Sequence, residues 1–274
     1  MERSMRLALL IIISFASIFF AANAEIIEPL SMNITEGSII NLGKIGPGQT
    51  IDIVANGVAT GARFGIEGRW QILRVVSVPD GWQGFDSKEL ALSMKAGVKA
   101  SNDTKDGEYR VTFRLEEDPN QQQGLGSITF QVVVTVSRDI IAATFPNERV
   151  ETGVGQPARY PITLKSTSAA NDVFEISAEN VPSWDYRKSV HVPAGGTVNT
   201  FYEIVSNEEK EYSPVIVIKS QSSDEVKISK ELSLAVKSDV IGDLRAANNG
   251  VLIFPMALEP LYSLLGIIDS IMGV

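Results

Sequence analysis

The sequence contains one histidine, His191, and it stands among groups able to assist it. Trp184, Asp185, Tyr186 and Lys188 all fall in the stretch ENVPSWDYRKSVHVPAGGTV, residues 179 to 198. Acyl transfer at such a site would need an imidazole held by a carboxylate and a nucleophile converging on it. No G-x-S-x-G elbow supplies that nucleophile. If V-P-S-W ends one strand and S-V-H-V-P forms the next, the pleat turns Val190 and Val192 inward and His191 outward. Asp185 and Lys188 then lie on the connecting turn. The histidine is expected on the surface, and the chain is read as a non-enzyme.

The other chemistry-bearing clusters read the same way. Glu116-Glu117-Asp118 and Glu208-Glu209 are acidic loop tips, whereas a glycosidase pair must converge across a cleft with one acid desolvated. SNDTKDGE, 101 to 108, resembles a calcium loop only in part: with Asn102 at its first position, Phe113 falls where the bidentate glutamate should be. PGQT at 47 to 50 and PAGGT at 193 to 197 bear glycine but open no helix and lack the Lys-Ser/Thr of a phosphate loop. No metal and no cofactor is expected. Asn33-Ile34-Thr35 and Asn102-Asp103-Thr104 are sequons, which makes Asn33 and Asn102 acceptors for N-glycosylation outside the cytoplasm. Trp82 and Trp184 each follow a Val-Pro pair. Packing anchors are the favoured role for both, and a stacking platform for a ligand such as a glycan is the alternative.

The elements that would position these residues are short strands with period-two alternation. RVTFRLEE, SITFQVVVTVS, PITLKS, DVFEISAE, VNTFYEIVS, SPVIVIKS and ISKELSLAVKS all alternate, and Gly, Pro, Asn and Asp separate them. This pattern predicts sandwiches rather than a parallel α/β sheet. The chain also repeats. Val78-Pro79 and Trp82 recur as Val181-Pro182 and Trp184, Tyr109 as Tyr212, and Phe130, Val132 and Val134 as Leu232, Leu234 and Val236, each offset being 102 or 103 residues. A constant offset implies two copies of one domain, 25 to 137 and 138 to 238. Asp106-Gly107-Glu108-Tyr109-Arg110-Val111 matches the tyrosine corner of immunoglobulin-like domains, with Val111 where those domains place a cysteine. In the second copy Pro214, two residues after Tyr212, predicts an edge or bulge.

The succession G-Q-x-x-x-Y-P-I-T-L at 155 to 164, D-V-F-E-I at 172 to 176, V-P-S-W at 181 to 184, V-H-V-P-A-G-G-T-V at 190 to 198 and the closing L-S-L-A-V resembles the NPCBM-associated α-galactosidase-type modules of bacterial and archaeal exported proteins. It is similar also to CARDB cell-adhesion-related modules. The first copy is similar more loosely, through I-G-P-G-Q-T-I-D-I at 45 to 53, V-P-D-G-W at 78 to 82 and D-G-E-Y-R-V at 106 to 111. The resemblance implies sandwich modules and no catalytic residue.

The ends differ from this body. Arg3 and Arg6 precede the apolar run LALLIIISFASIFFAA, which closes on Ala22-Asn23-Ala24, so residues 1 to 24 read as a signal peptide cleaved after Ala24, with an uncleaved anchor as the alternative. The chain carries a net charge of −9, and loss of that segment leaves about −10, which argues against a nucleic-acid partner. It has no cysteine, so stability must come from core burial, and thiolate chemistry is excluded. Residues 239 to 274 form a hydrophobic tail whose last part, about 260 to 273, has helical periodicity: Leu261, Leu264, Leu265, Ile268 and Met272 make an apolar stripe beside Ser263, Gly266, Ser270 and Gly273. This stripe would contact membrane, a partner, or the chain's own sandwich. Val251 to Phe254 could alternatively add to a sheet edge.

The sequence thus predicts an all-β protein of two tandem immunoglobulin-like β-sandwiches, with an N-terminal signal segment and a C-terminal apolar helix. Its expected role is a structural or interaction module, of adhesion type, at the cell surface or in a periplasm-like space. The expected partner is an envelope protein or glycan, with membrane association through the tail. Alternatives are a carbohydrate-binding accessory protein and a two-domain assembly chaperone.

Overall fold

The computed structural model describes residues 23–60, 68–88, 93–120, 124–181 and 184–237. The expectations placed on residues 1 to 22 and on Leu261, Leu264, Leu265, Ile268 and Met272 of the tail lie outside these residues. Two compact units divide the described chain. One comprises the residues up to Gly43, Thr50–Lys99 and Glu108–Thr135. The other comprises Lys44–Gln49, Ala100–Gly107 and everything from Val136 onward.

The first unit is built from nine strands: β1 (Asn23–Glu28), β2 (Met32–Ile34), β3 (Ile39–Ile45), β4 (Thr50–Thr60), β5 (Ile72–Ser77), β6 (Gln83–Phe85), β7 (Ser93–Lys99), β8 (Gly107–Glu116) and β9 (Ile128–Val136). They form one sheet of order β2-β1-β4-β7-β6 and a second of order β3-β9-β8-β5. With β1 and β4 to β9 lettered A to G, this is an A-B-E-D sheet against a C-F-G sheet, the constant-type immunoglobulin arrangement. Ile53, Met94 and Val98 from one sheet and Leu73, Phe113 and Phe130 from the other are buried. Phe113 and Phe130 stack with centroids 5.5 Å apart. β1 begins with Asn23 and Ala24, and Ala24 is fully buried opposite Ile34. Cleavage after Ala24 would start β1 at Glu25.

The second unit contains β10 (Ile141–Thr144), β11 (Arg149–Thr152), β12 (Pro157–Ser166), β13 (Asp172–Glu179), β14 (Lys188–Val192), β15 (Thr197–Val205), β16 (Glu211–Tyr212), β17 (Val215–Ser220), β18 (Lys227–Glu231) and β19 (Ser233–Val236). The sheet β10-β12-β15 is A-B-E again. Its partner layer is split into β14-β13-β17-β18 and β11-β19-β16. The split occurs at one level. Pro214 separates β16 from β17 because it cannot donate to a ladder, and on the neighbouring strand Leu232 separates β18 from β19. Leu232 N donates to Pro214 O at 2.9 Å, closing the kink. The predicted edge or bulge at Pro214 is therefore a change of sheet shared by two strands.

The sequence landmarks fall on equivalent strands. With β13 as C, β16 and β17 as F, and β18 and β19 as G in the second unit, Trp82 and Trp184 both follow strand C, Tyr109 and Tyr212 lie on strand F, and Phe130, Val132 and Val134 lie on strand G as Leu234 and Val236 do, with Leu232 at the break of that strand. The units differ at the fourth strand, since β6 pairs with β7 but β14 pairs with β13.

Candidate functional site

The histidine stretch is occupied with packing. Val190 is 8% exposed and Val192 fully buried, while His191 between them is exposed and lies opposite Val173. Asp185 faces Arg187 at 3.6 Å, and Arg187 also reaches Glu175 at 3.2 Å. Lys188 Nζ donates to the Phe201 carbonyl at 2.8 Å and sits 3.8 Å from the centre of its ring, to which Arg159 also packs at 4.0 Å. Trp184 contacts Tyr186, and Tyr186 contacts Tyr202, at centroid separations of 6.0 and 5.8 Å. Tyr202 donates its hydroxyl to the Tyr186 carbonyl. Burial pushes the Tyr202 phenol upward from its ordinary pKa, partly offset by Trp184 and the Ala178 backbone.

The two tryptophans, read from sequence as packing anchors with ligand stacking as the alternative, both lie against their own units. Trp82 is 6% exposed and rests on Tyr109 with centroids 5.3 Å apart. Trp184 packs against the second core. Burial leaves Trp82 little surface for stacking on a sugar, whereas Trp184 is partly buried. Trp70, outside the recurring Val-Pro and Trp landmarks, is fully buried two residues before strand C and donates Nε1 to the Gly126 carbonyl at 3.0 Å. A buried Trp associated with strand C is a hallmark of this fold, so the signal was present.

The acidic loops are likewise committed. Glu116 accepts from Arg74 Nε at 2.7 Å, which with Asp86 holds the guanidinium pKa above its usual value. Glu117 accepts from Leu125 N, and Asp118 from Asn120 N. In the calcium-like loop, Asp106 pairs with Arg138, which also meets Glu225. Among the described residues no three carboxylate or histidine side chains converge on a metal position. Asn33 on β2 and Asn102 in a turn are both exposed, as sequon asparagines must be; Thr104 is buried and donates to Ser101 O at 2.8 Å. Tyr212 makes a corner bond: its hydroxyl accepts from Ser206 Oγ at 2.9 Å and donates to Glu208 Oε2 at 3.4 Å, returning to the segment just before strand F.

Two polar arrangements were not anticipated. In the second unit, the core-facing columns of β12, β13 and β17 end in Ser166, Asp172 and Ser220 at the same end of the sandwich. Asp172 is 6% exposed. Its carboxylate accepts from Gln49 Nε2 at 2.8 Å, Ser220 Oγ at 2.7 Å, Ser222 Oγ at 2.8 Å and Val173 N at 2.8 Å. Gln49 Oε1 in turn accepts from Ser168 Oγ at 2.6 Å and Gly46 N at 2.8 Å. Every strong acceptor position is filled, so the node anchors the Lys44–Gln49 segment within its unit and has no site for a substrate.

The other arrangement is an open groove of about 410 Å³ on the outer face of β4, β7 and β6. Register places Phe85, Gly97 and Asp52 in one row across these strands. A Cβ at Gly84 would lie 2.6 Å from Val75, so glycine lets β6 settle against β5, and the next residue, Phe85, turns outward with 51% exposure. Lys95 Nζ pairs with Asp52 Oδ2 at 2.8 Å beside the ring.

Strand order and core together define an all-β protein of two immunoglobulin-like β-sandwich units, an architecture compatible with a structural or interaction module. No family model and no curated protein sequence matches the chain. Among solved structures it is similar to a β-glucosidase from Listeria innocua, at 14% identity over 35% of this chain and TM-score 0.26, where the match spans 16% of the enzyme. It is also similar to a chimeric titin Z1Z2 bearing a KLER peptide from decorin, at 13% identity over 80% of this chain and 99% of that one, with TM-score 0.36. The fibronectin(III)-like modules of CbhA from Clostridium thermocellum match at 11% identity over 78% of this chain and 94% of theirs, with TM-score 0.26. The immunoglobulin-like class stands on strand order and not on these likenesses.

Proposed function

We propose that this chain is a non-enzymatic structural or interaction module, of adhesion type, displayed outside the cytoplasm on a cell envelope. The observation that carries this reading is the saturation of the Asp172 node, a buried polar cluster among the described residues: it holds a loop, which leaves the outward sheet faces for recognition. The export-type N-terminal sequence and the resemblance to modules of exported proteins support the placement. The apolar tail supplies membrane or partner attachment, and the net charge of −9 disfavours nucleic acid. An assembly chaperone is less favoured. Donation of an edge strand needs free backbone groups, and on the edge strand β15 Lys188 covers one of them, the Phe201 carbonyl.

The test is labelling of intact native cells with a membrane-impermeant amine reagent, alongside assays of the purified full chain on glycoside and peptide substrates. Labelling without lysis and no turnover are expected. Labelling only after lysis, or sustained turnover abolished by a point substitution, would overturn the reading.

A further inference from the structure

The row Phe85, Gly97, Asp52 joins an exposed apolar side chain to a strand glycine and a carboxylate on one sheet face. Gly97 lies inside β7, where glycine weakens a strand and marks a place that another group approaches closely. A Cβ there would lie 3.2 Å from Asp52 Oδ1 and 3.7 Å from Phe85 Cδ2, so a side chain would fill the space between ring and carboxylate. Phe85 partly covers the glycine, which is a structural use of an aromatic beside a strand glycine. Yet Phe85 as a residue is 51% exposed, and an apolar side chain serving only as a cover gains nothing from that exposure.

The surrounding groups narrow the ligand. Among the lining residues Asp52 and Asp86 are matched in number by Lys88 and Lys95, so the lining carries no net formal charge to favour an anion or a cation, and Arg74 pairs with Asp86 from outside it. Thr50 and Ser93 add hydroxyls. The volume lies within the range of small-ligand sites. Lys95 and Asp52, 2.8 Å apart, offer a donor and an acceptor side by side. Two adjacent hydroxyls can serve both, one accepting from the ammonium and the other donating to the carboxylate.

We propose that this groove binds a neutral saccharide, with the apolar C–H face of a pyranose on Phe85 and neighbouring hydroxyls shared between Asp52 and Lys95. The site rests on the reading of the chain as an interaction module and names a glycan as what the first unit touches. An open groove holds its ligand weakly, and specificity comes from the paired polar groups.

The test applies the full chain to an array of neutral oligosaccharides and titrates the strongest binder while amide shifts are recorded by NMR. Saturable shifts are expected at Ser93, Lys95 and Gly97. Phe85→Ala should weaken binding by about tenfold or more, and Lys95→Gln several-fold. Phe85→Leu keeps Gly97 covered without a π face; it should lose binding while its urea midpoint stays that of the parent. The proposal is overturned if no array member binds above the Phe85→Ala background, or if the shifts map elsewhere or survive Phe85→Leu. Saturable binding of inorganic phosphate or calcium in the groove would also overturn it. A chain that labels on intact cells but ignores neutral glycans sinks only this site, whereas glycan binding by a chain confined to the cytoplasm sinks only the display reading.

Discussion

The hydroxyl of Tyr160, on strand B of the second unit, donates to the carbonyl of Ser233 at 2.8 Å. Tyr160 is fully buried, and Ser233 is the first residue of β19, directly after the break at Leu232. One side chain thus crosses the sandwich and ties the inner face of one sheet to the kink of the other.

Tyr160→Phe removes that bond and should cost about 1 to 2 kcal/mol of unfolding free energy, measured by urea denaturation. The substitution also changes the pH dependence. Burial pushes the Tyr160 phenol from 10.0 to about 12 in the folded protein. The folded form therefore holds its proton after the unfolded chain has begun to lose it. The stability contributed by the neutral phenol is complete below pH 10 and is lost as pH rises from 10 through 12. The decline in urea midpoint across that window should be shallower in Tyr160→Phe. It should not vanish, because the Tyr202 phenol is shifted in the same direction. An unchanged slope would exclude this role.

Asp172→Ala should be more damaging. It leaves Gln49 Nε2, Ser220 Oγ, Ser222 Oγ and Val173 N without their acceptor in a site that is 6% exposed. The expected loss is about 3 kcal/mol or more. Asp172→Asn should cost less, on the order of 1 to 2 kcal/mol, because the serine hydroxyls can rotate to accept while Gln49 Nε2 cannot. Equal effects from the two substitutions would mean that shape, and not the acceptor, is what the node requires.

Gly48 sits in the turn PGQT with a φ of +72°, and a Cβ there would lie 2.0 Å from the Ser222 carbonyl oxygen and 2.5 Å from Asn102 Oδ1. Gly48→Ala pays for both the left-handed backbone and the clash, so a loss of at least about 2 kcal/mol is expected in the thermal or urea midpoint. Gly37→Ala is the control. Its φ of +78° is similar but nothing lies within 4 Å, so only the backbone term, about 1 kcal/mol, should appear.

The strands were legible because each is local. DVFEISAE is β13, and the alternation at Val190, His191 and Val192 sets which side faces water. The offset of the Trp, Tyr and strand-G landmarks reached as far as equivalent strands in the two units. What it could not give was the fourth strand: β6 has three residues, QGF, too few for a period to register. The Asp172 node was hidden for a different reason. Gln49 and Asp172 are 123 residues apart, so no local pattern joins them, and Asp172 reads in sequence as the polar start of an ordinary strand. Phe85 was hidden by its neighbours, because the recurring Val-Pro and Trp drew attention to Trp82, three positions earlier, whose ring the structure turns inward.

The inward Trp82 and the outward His191 should respond oppositely to truncation. Trp82 is 6% exposed against Tyr109, so Trp82→Ala removes a large buried ring and should destabilise the protein by about 3 to 5 kcal/mol. His191 projects to solvent from a strand whose inward contacts belong to Val190 and Val192. His191→Ala should therefore stay within about 0.5 kcal/mol of the parent in urea denaturation. A folded Trp82→Ala protein of unaltered midpoint would restore Trp82 as a surface residue available to a ligand. A large loss in His191→Ala would show that the imidazole has a partner beyond its own strand, and residues 184 to 191 would become a candidate site.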